Sequence, residues 1–298
     1  YTPRSRPGIV LLLAIVGISF AAPLIRLSSA HPVAIAVWRL VISLALLGAA
    51  LAITRGWRAW GTLSAREVGL AVAAGAMLAV HFWSWNTSLL YTSIAASVIL
   101  VNLQPAIVAA LSSVWLRETP TRRQWVGIAV AMVGAAGVAF ASGATAAGRG
   151  VFPLLGNTLA LVGAITAALY YLSGRRLRTK LDVLPYVTLV YGACLVSLLV
   201  IAFMVDAPLL PQPAREWAIF AGLALGPMLL GHTGMNWALG HLPAYVVNIT
   251  VLGEPVGAIL LGALLPGIQE IPSVAVVSAG AVVIAGILMA LPRREPPS

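Results

Sequence analysis

Residues 94–116 read IAASVILVNLQPAIVAALSSVWL, and residues 244–265 read AYVVNITVLGEPVGAILLGALL. Each run is predominantly apolar and long enough for the ~20 residues that a helix needs to cross a bilayer. Each carries a proline near its middle, Pro105 and Pro255. A proline removes one helical hydrogen bond and frees the carbonyl four residues earlier, here at Val101 and Val251. In hydrocarbon a freed carbonyl has to be met by protein or water. Paired breaks in corresponding helices point to a transport site. A packing kink is the alternative, and the two readings are compatible.

Outward from these two runs the chain is of one kind. Of its 298 residues 60% are hydrophobic and 9% are charged, with a mean hydropathy of +0.99. A soluble domain carries about 25% charged residues. That contrast excludes a cytosolic enzyme, a disordered chain and a nucleic-acid-binding domain. Ten apolar runs are expected to span the membrane: 8–27, 33–53, 68–90, 94–116, 125–142, 151–173, 183–205, 217–239, 244–265 and 274–291. The first follows arginines, as a signal peptide does, but its length suits a retained helix.

The net charge of +10 sits mostly between the runs. Arg4, Arg6, Arg55, Arg58, Arg66, Arg117, Arg122, Arg123, Arg175, Arg176, Arg178, Lys180, Arg293 and Arg294 fall on one side of ten alternating spans. Only Arg26, Arg149 and Arg215 fall on the other, and Arg39 lies within span 2. Basic residues favour the cytoplasmic side, so both termini are expected there, in an inner or plasma membrane. Trp57, Trp60, Trp115, Trp125 and Trp217 at span ends read as interfacial anchors. The single cysteine, Cys194, lies in an apolar run and reads as a small packed hydrophobe, with no disulfide or metal site.

The two halves repeat at a spacing of about 150 residues. Asn86 matches Asn236, Leu89 matches Leu239, and Gln104-Pro105 matches Glu254-Pro255. After a two-residue slip, Glu118, Pro120 and Gly134 match Glu270, Pro272 and Gly286. Five spans per copy is an odd number, so the second copy, 146–298, enters the membrane inverted relative to the first, 1–145. Two inverted copies are the usual build of an alternating-access carrier, with its site at the repeat interface.

Trp38-Arg39-Leu40 early in span 2, the proline within span 4, Gly253-Glu254-Pro255-Val256 in span 9, and Glu118 and Glu270 together resemble the drug/metabolite transporter superfamily, EamA type. The resemblance covers essentially the whole chain. It implies an inner-membrane exporter of amino acids, metabolites or drugs, with spans 3–4 and 8–9 as the gating core. One branch of that family exports aromatic amino acids, and the aromatic content of the spans favours that branch.

The candidate substrate contacts lie on helix faces. Tyr91, Ala95, Val98 and Asn102 share a face of span 4, and His241, Tyr245, Asn248 and Leu252 share the equivalent face of span 9. A tyrosine offers apolar area and a hydroxyl handle, which suits a flat amphipathic ligand. Interhelical glue is the other role open to the asparagines. His81 and Trp85 share a face of span 3, as His232 and Asn236 do in span 8. Of Tyr170 and Tyr171 in span 6, one is expected to face the cavity. Charged residues within spans default to function. Arg39 suits a substrate carboxylate or a structural pair, and Glu254 suits a coupling proton or a backbone cap.

The chain carries no His-Glu-x-x-His, no Gly-x-Ser-x-Gly and no phosphate loop, so no enzyme is expected. The expected protein is all-α, with ten transmembrane helices in two inverted five-helix repeats around a cavity between spans 1, 3, 4, 6, 8 and 9. Its substrate contacts are His81, Trp85, Tyr91, Asn102, Tyr170, His232, Tyr245 and Asn248, with Pro105, Pro255, Glu254 and Arg39 in gating or coupling. It exports aromatic or large neutral amino acids as a monomer in contact with lipid and a small-molecule substrate, without cofactor, metal or nucleic acid. A drug or nucleotide-sugar carrier is the alternative within transport. A membrane scaffold or intramembrane enzyme is the alternative outside it.

Overall fold

Lipid cannot satisfy backbone N–H and C=O groups, so apolar runs of this length are stable as helices that pair those groups internally. The computed structural model describes residues 7–92, 94–141, 152–264 and 273–291. Among the described residues the regular structure is helical, without strands. In chain order the α-helices are α1 (Pro7–Ser19), α2 (Ala21–Leu27), α3 (Pro32–Thr54), α4 (Ala65–Tyr91), α5 (Ile94–Val101), α6 (Gln104–Trp115) and α7 (Arg122–Ala141). They continue with α8 (Pro153–Leu177), α9 (Val183–Met204), α10 (Ala214–Leu223), α11 (Thr233–Ala238), α12 (Ala244–Val251), α13 (Glu254–Leu264) and α14 (Val274–Ala290). A π-helical stretch, Ala224–His232, joins α10 to α11.

Six helical stretches are long and apolar enough to cross a membrane: Pro7–Ile25, Pro32–Thr54, Ala65–Ser88, Pro153–Leu177, Val183–Met204 and Ala214–Ala238. Shorter apolar helices follow at Ile99–Trp115 and Val274–Ala290. Leu154, Phe203 and Val274 stand more than four-fifths exposed. An outer surface of this kind is suited to lipid rather than to water. Glu270 and Pro272 of the expected repeat, and Arg4, Arg6, Arg149, Arg293 and Arg294 of the charge pattern, lie outside the described residues.

The helices pack in pairs drawn from the two halves of the chain. α4 lies on α8, and α1 lies on the π-helical stretch and α11. α3 lies on α9, α6 on α12, and α7 on α14. Small residues let these backbones close up, as in membrane bundles generally. A Cβ added at Gly286 of α14 would come 2.3 Å from the backbone nitrogen of Ala131 in α7. One added at Gly231 would come 2.3 Å from a methyl of Ile18 in α1. Cys194 is wholly buried in α9. Trp57, Trp115, Trp125 and Trp217 remain partly exposed near helix ends.

Candidate functional site

The two prolines divide their helices at matching points. α5 ends at Val101 and α6 resumes at Gln104, while α12 ends at Val251 and α13 resumes at Glu254. Each gap is a two-residue turn, Asn102-Leu103 and Leu252-Gly253. Pro105 then sits in the first turn of the new helix, a position that accommodates a residue without an N–H. Two further irregularities interrupt other helices. The α1–α2 junction falls at Phe20, and the π-helical stretch contains Pro227. π-Helical turns are rare and are frequent at functional sites.

All four irregularities border one cavity, which encloses about 70 Å³. The backbone breaks contribute Val101, Asn102, Gln104, Val251 and Glu254 to its wall, and the other two junctions contribute Ile18, Ala21, Pro227 and His232. Its rings come from Phe82, Trp85, Tyr170 and Tyr171, and Arg39 and His81 complete the polar lining. His81 lies parallel to Trp85, with centroids 6.1 Å apart and planes 11° apart, as their placement four residues apart on one helix face requires. His81 Nδ1 is 2.9 Å from the carbonyl oxygen of Gly163, which anchors that ring to α8. Phe82 meets His232 edge-on at 5.5 Å, and the Arg39 guanidinium lies 3.6 Å from the centre of the Phe82 ring. Asn236 donates to the hydroxyl of Tyr170 at 2.5 Å and to the carbonyl of His232 at 2.7 Å, joining α11 to α8 under the cavity wall.

Of the residues expected at the site, His81, Trp85, Asn102, Tyr170, His232, Arg39 and Glu254 line this cavity. Tyr91, Tyr245 and Asn248 do not. Tyr91 ends α4 beside Phe152, its ring 6.4 Å away. The Tyr245 hydroxyl donates to Gln124 Oε1 at 3.2 Å, and Asn248 Oδ1 accepts from Gln104 Nε2 at 2.5 Å. Tyr245 is thus tied to α7 and Asn248 to α6. Tyr170 and Tyr171 both line the cavity, whereas one was expected. Successive helix residues differ by about 100° of rotation, and a cavity at the corner of a helix spans that angle. Phe82, Gln104 and Pro227 were not singled out in the sequence, although Gln104 is the repeat partner of Glu254 and Pro227 interrupts an apolar run.

One end of the bundle is tied across several elements. Glu118, after α6, pairs with Arg175 Nε at 2.6 Å and accepts from the backbone N–H of Ala244 at 2.9 Å. Arg175 Nη1 in turn donates to the carbonyl oxygen of Leu239 at 2.6 Å. Arg178 donates from Nε to the carbonyl of Asn236 at 3.0 Å and from Nη1 to that of Leu181. Burial holds Arg178 below the ordinary arginine pKa, against the opposing pull of Asp182 and Tyr186. Glu67 pairs with Lys180 at 2.9 Å, and at the opposite end the carboxylate of Glu216 accepts from Ser28 Oγ at 2.5 Å and from the backbone N–H of Ser29 at 3.0 Å. α6 packs on α12 at the Glu118 end, while α5 packs on α7 and α8, and α13 on α1, α2 and α7.

Helices broken around a polar, ring-lined cavity inside an apolar bundle define a membrane transport protein. The model of the EamA-like transporter family matches residues 7–140 and 154–291, and the chain belongs to that family. It is similar to an uncharacterized transporter of Archaeoglobus fulgidus, 26% identical over 96% of this chain and 99% of the other. The uncharacterized transporter YyaM of Bacillus subtilis is 28% identical over 52% of this chain and 51% of its own. A solved crystal structure shares the fold, with a TM-score of 0.78 at 20% identity over 97% of each chain. The protein is therefore a multi-pass membrane protein of a transporter family.

Proposed function

We propose that the protein exports aromatic or large neutral amino acids, and related amphipathic compounds, by alternating access through the cavity at the helix breaks. The observation that carries this reading is the pair of matched breaks, Asn102-Leu103 and Leu252-Gly253, bordering one cavity lined by both rings and polar groups. Trp85, Tyr170 and Tyr171 offer flat apolar faces, and His81, Asn102 and His232 offer hydrogen bonds. A volume of about 70 Å³ is far below the roughly 300 Å³ at which ligand pockets begin, so the substrate enters only as the helices separate.

In this reading residues 1–145 and 146–298 are inverted five-helix repeats. The helix pairings support it. Exchanging the halves turns the α4–α8 contact into the contact of α1 with the π-helical stretch and α11, and returns α3–α9 and α7–α14 to themselves. The family model's match to each half supports it too. The arginine distribution favours a cytoplasmic position for both termini and for the Glu118–Arg175 end, in an inner or plasma membrane. α6 and α12 then close the cytoplasmic side, while α5 and α13 lean away toward other helices.

The test is counterflow in vesicles containing the purified protein, with radiolabelled phenylalanine, a cationic drug and a nucleotide sugar, with and without a pH gradient. Saturable phenylalanine exchange that Trp85→Ala abolishes supports the proposal. Flux of the drug or the sugar alone would overturn the substrate class.

A further inference from the structure

The geometry points to Arg39 as the anchor for a substrate carboxylate, which it grips side-on through Nε and Nη2. This inference rests on the exporter reading above and deepens it. Arg39 is 3% exposed, yet neither Nε nor Nη2 has a hydrogen-bond partner. Among the described residues the ion pairs are those of Arg175 with Glu118 and Lys180 with Glu67, and none of them matches Arg39 with a carboxylate. A buried guanidinium edge without a partner is costly, and folds retain such groups where something else completes them.

The orientation of the group narrows what that partner is. Phe82, itself 2% exposed, lies beneath the guanidinium plane at 3.6 Å. His232 braces Phe82 edge-on. With one face covered, the group is left to donate through its edges. Nε and Nη2 form one edge, and their N–H bonds run parallel at the spacing of the two carboxylate oxygens. Arg39 lines the cavity, and so do two more groups whose buried nitrogens lack partners, Trp85 Nε1 and His232 Nδ1. The acid on that wall, Glu254, is not within ion-pair distance of Arg39. Residues of α3, α4 and the π-helical stretch that carry buried nitrogens without partners thus line one small space, which suits an oxyanion whose apolar remainder extends toward Tyr170 and Tyr171.

The experiment measures binding to the full chain in nanodiscs by intrinsic tryptophan fluorescence, with phenylalanine, phenylalaninamide, phenylacetate and benzylphosphonate as probes. For the wild type the acid is expected to bind roughly tenfold or more tightly than the amide, the worth of one charge-assisted pair. Arg39→Gln should remove that preference, so that acid and amide bind alike. Arg39→Lys, which keeps the charge but lacks the fork, should recover only part of it. Equal affinity of the wild type for acid and amide would overturn the anchor, and that comparison stands even if the variants do not fold. Tight phenylacetate binding without phenylalanine binding would support the anchor while sinking the amino-acid reading. Preference for the phosphonate over both carboxylates would overturn the carboxylate assignment.

Discussion

Glu118→Gln should open the end of the bundle that Glu118 and Arg175 tie together. Glu118 makes two charge-assisted contacts, to Arg175 Nε at 2.6 Å and to the N–H of Ala244 at 2.9 Å, with the two charged side chains 17% and 21% exposed. Glutamine keeps the length and an accepting oxygen but loses the charge. Hydrogen bonds to charged groups contribute about 1.5–3 kcal/mol and neutral ones about 0.5–1.5. The loss is therefore about 1 kcal/mol per contact, or about 1–2 kcal/mol in all after discounting for partial exposure. If these contacts exist only while α6 and α12 are together, the population open at that end rises by roughly 5- to 30-fold. Asn248→Cys in a Cys194→Ser background reports this, because Asn248 is fully buried where α12 faces Gln104. A membrane-impermeant thiol reagent applied to the face that carries Glu118 should react faster by that factor once Glu118→Gln is added. An unchanged rate in a protein of unchanged melting temperature would refute the reasoning.

Gly286→Leu should lower the melting temperature in detergent, since overpacking costs about 1–3 kcal/mol and its Cβ alone would reach 2.3 Å from Ala131. Gly192→Ala, with open space around its Cβ, should be neutral or slightly stabilising in the same assay. Asn236→Leu leaves the buried Tyr170 hydroxyl without its 2.5 Å donor and should cost about 1–2 kcal/mol in the melt. Pro105→Ala combined with Pro255→Ala lets the Val101 and Val251 carbonyls rejoin their helices. Vesicle flux should fall while the melting temperature holds or rises.

What the sequence made legible was local chemistry. Pro105 and Pro255 mark helix breaks because a missing N–H acts within one turn. His81 and Trp85 come together because four residues is one helical turn. What stayed hidden depends on which turns of different helices meet. Asn248 and Tyr245 share the expected face of their span, but Gln104 and Gln124, more than a hundred residues earlier, occupy their polar groups. The Glu118–Arg175 pair spans 57 residues and two loops, so neither partner identifies the other. Glu67 and Glu216 both tie a helix start to the chain following another helix, through Lys180 and through Ser28 and Ser29. Their spacing is close to that of the repeat, but their partners differ in type, which hides the correspondence.

The central claim is that the space beside the matched breaks is reached from both sides of the membrane in turn. Ala167→Cys in the Cys194→Ser background places a thiol on the cavity wall at a position that is 2% exposed. Its reaction with a membrane-impermeant reagent is measured from each face of sealed vesicles, with and without phenylalanine. Slow reaction from both faces, with phenylalanine protecting against each, is the predicted result. Reaction from one face alone, whatever the ligand, would contradict the account.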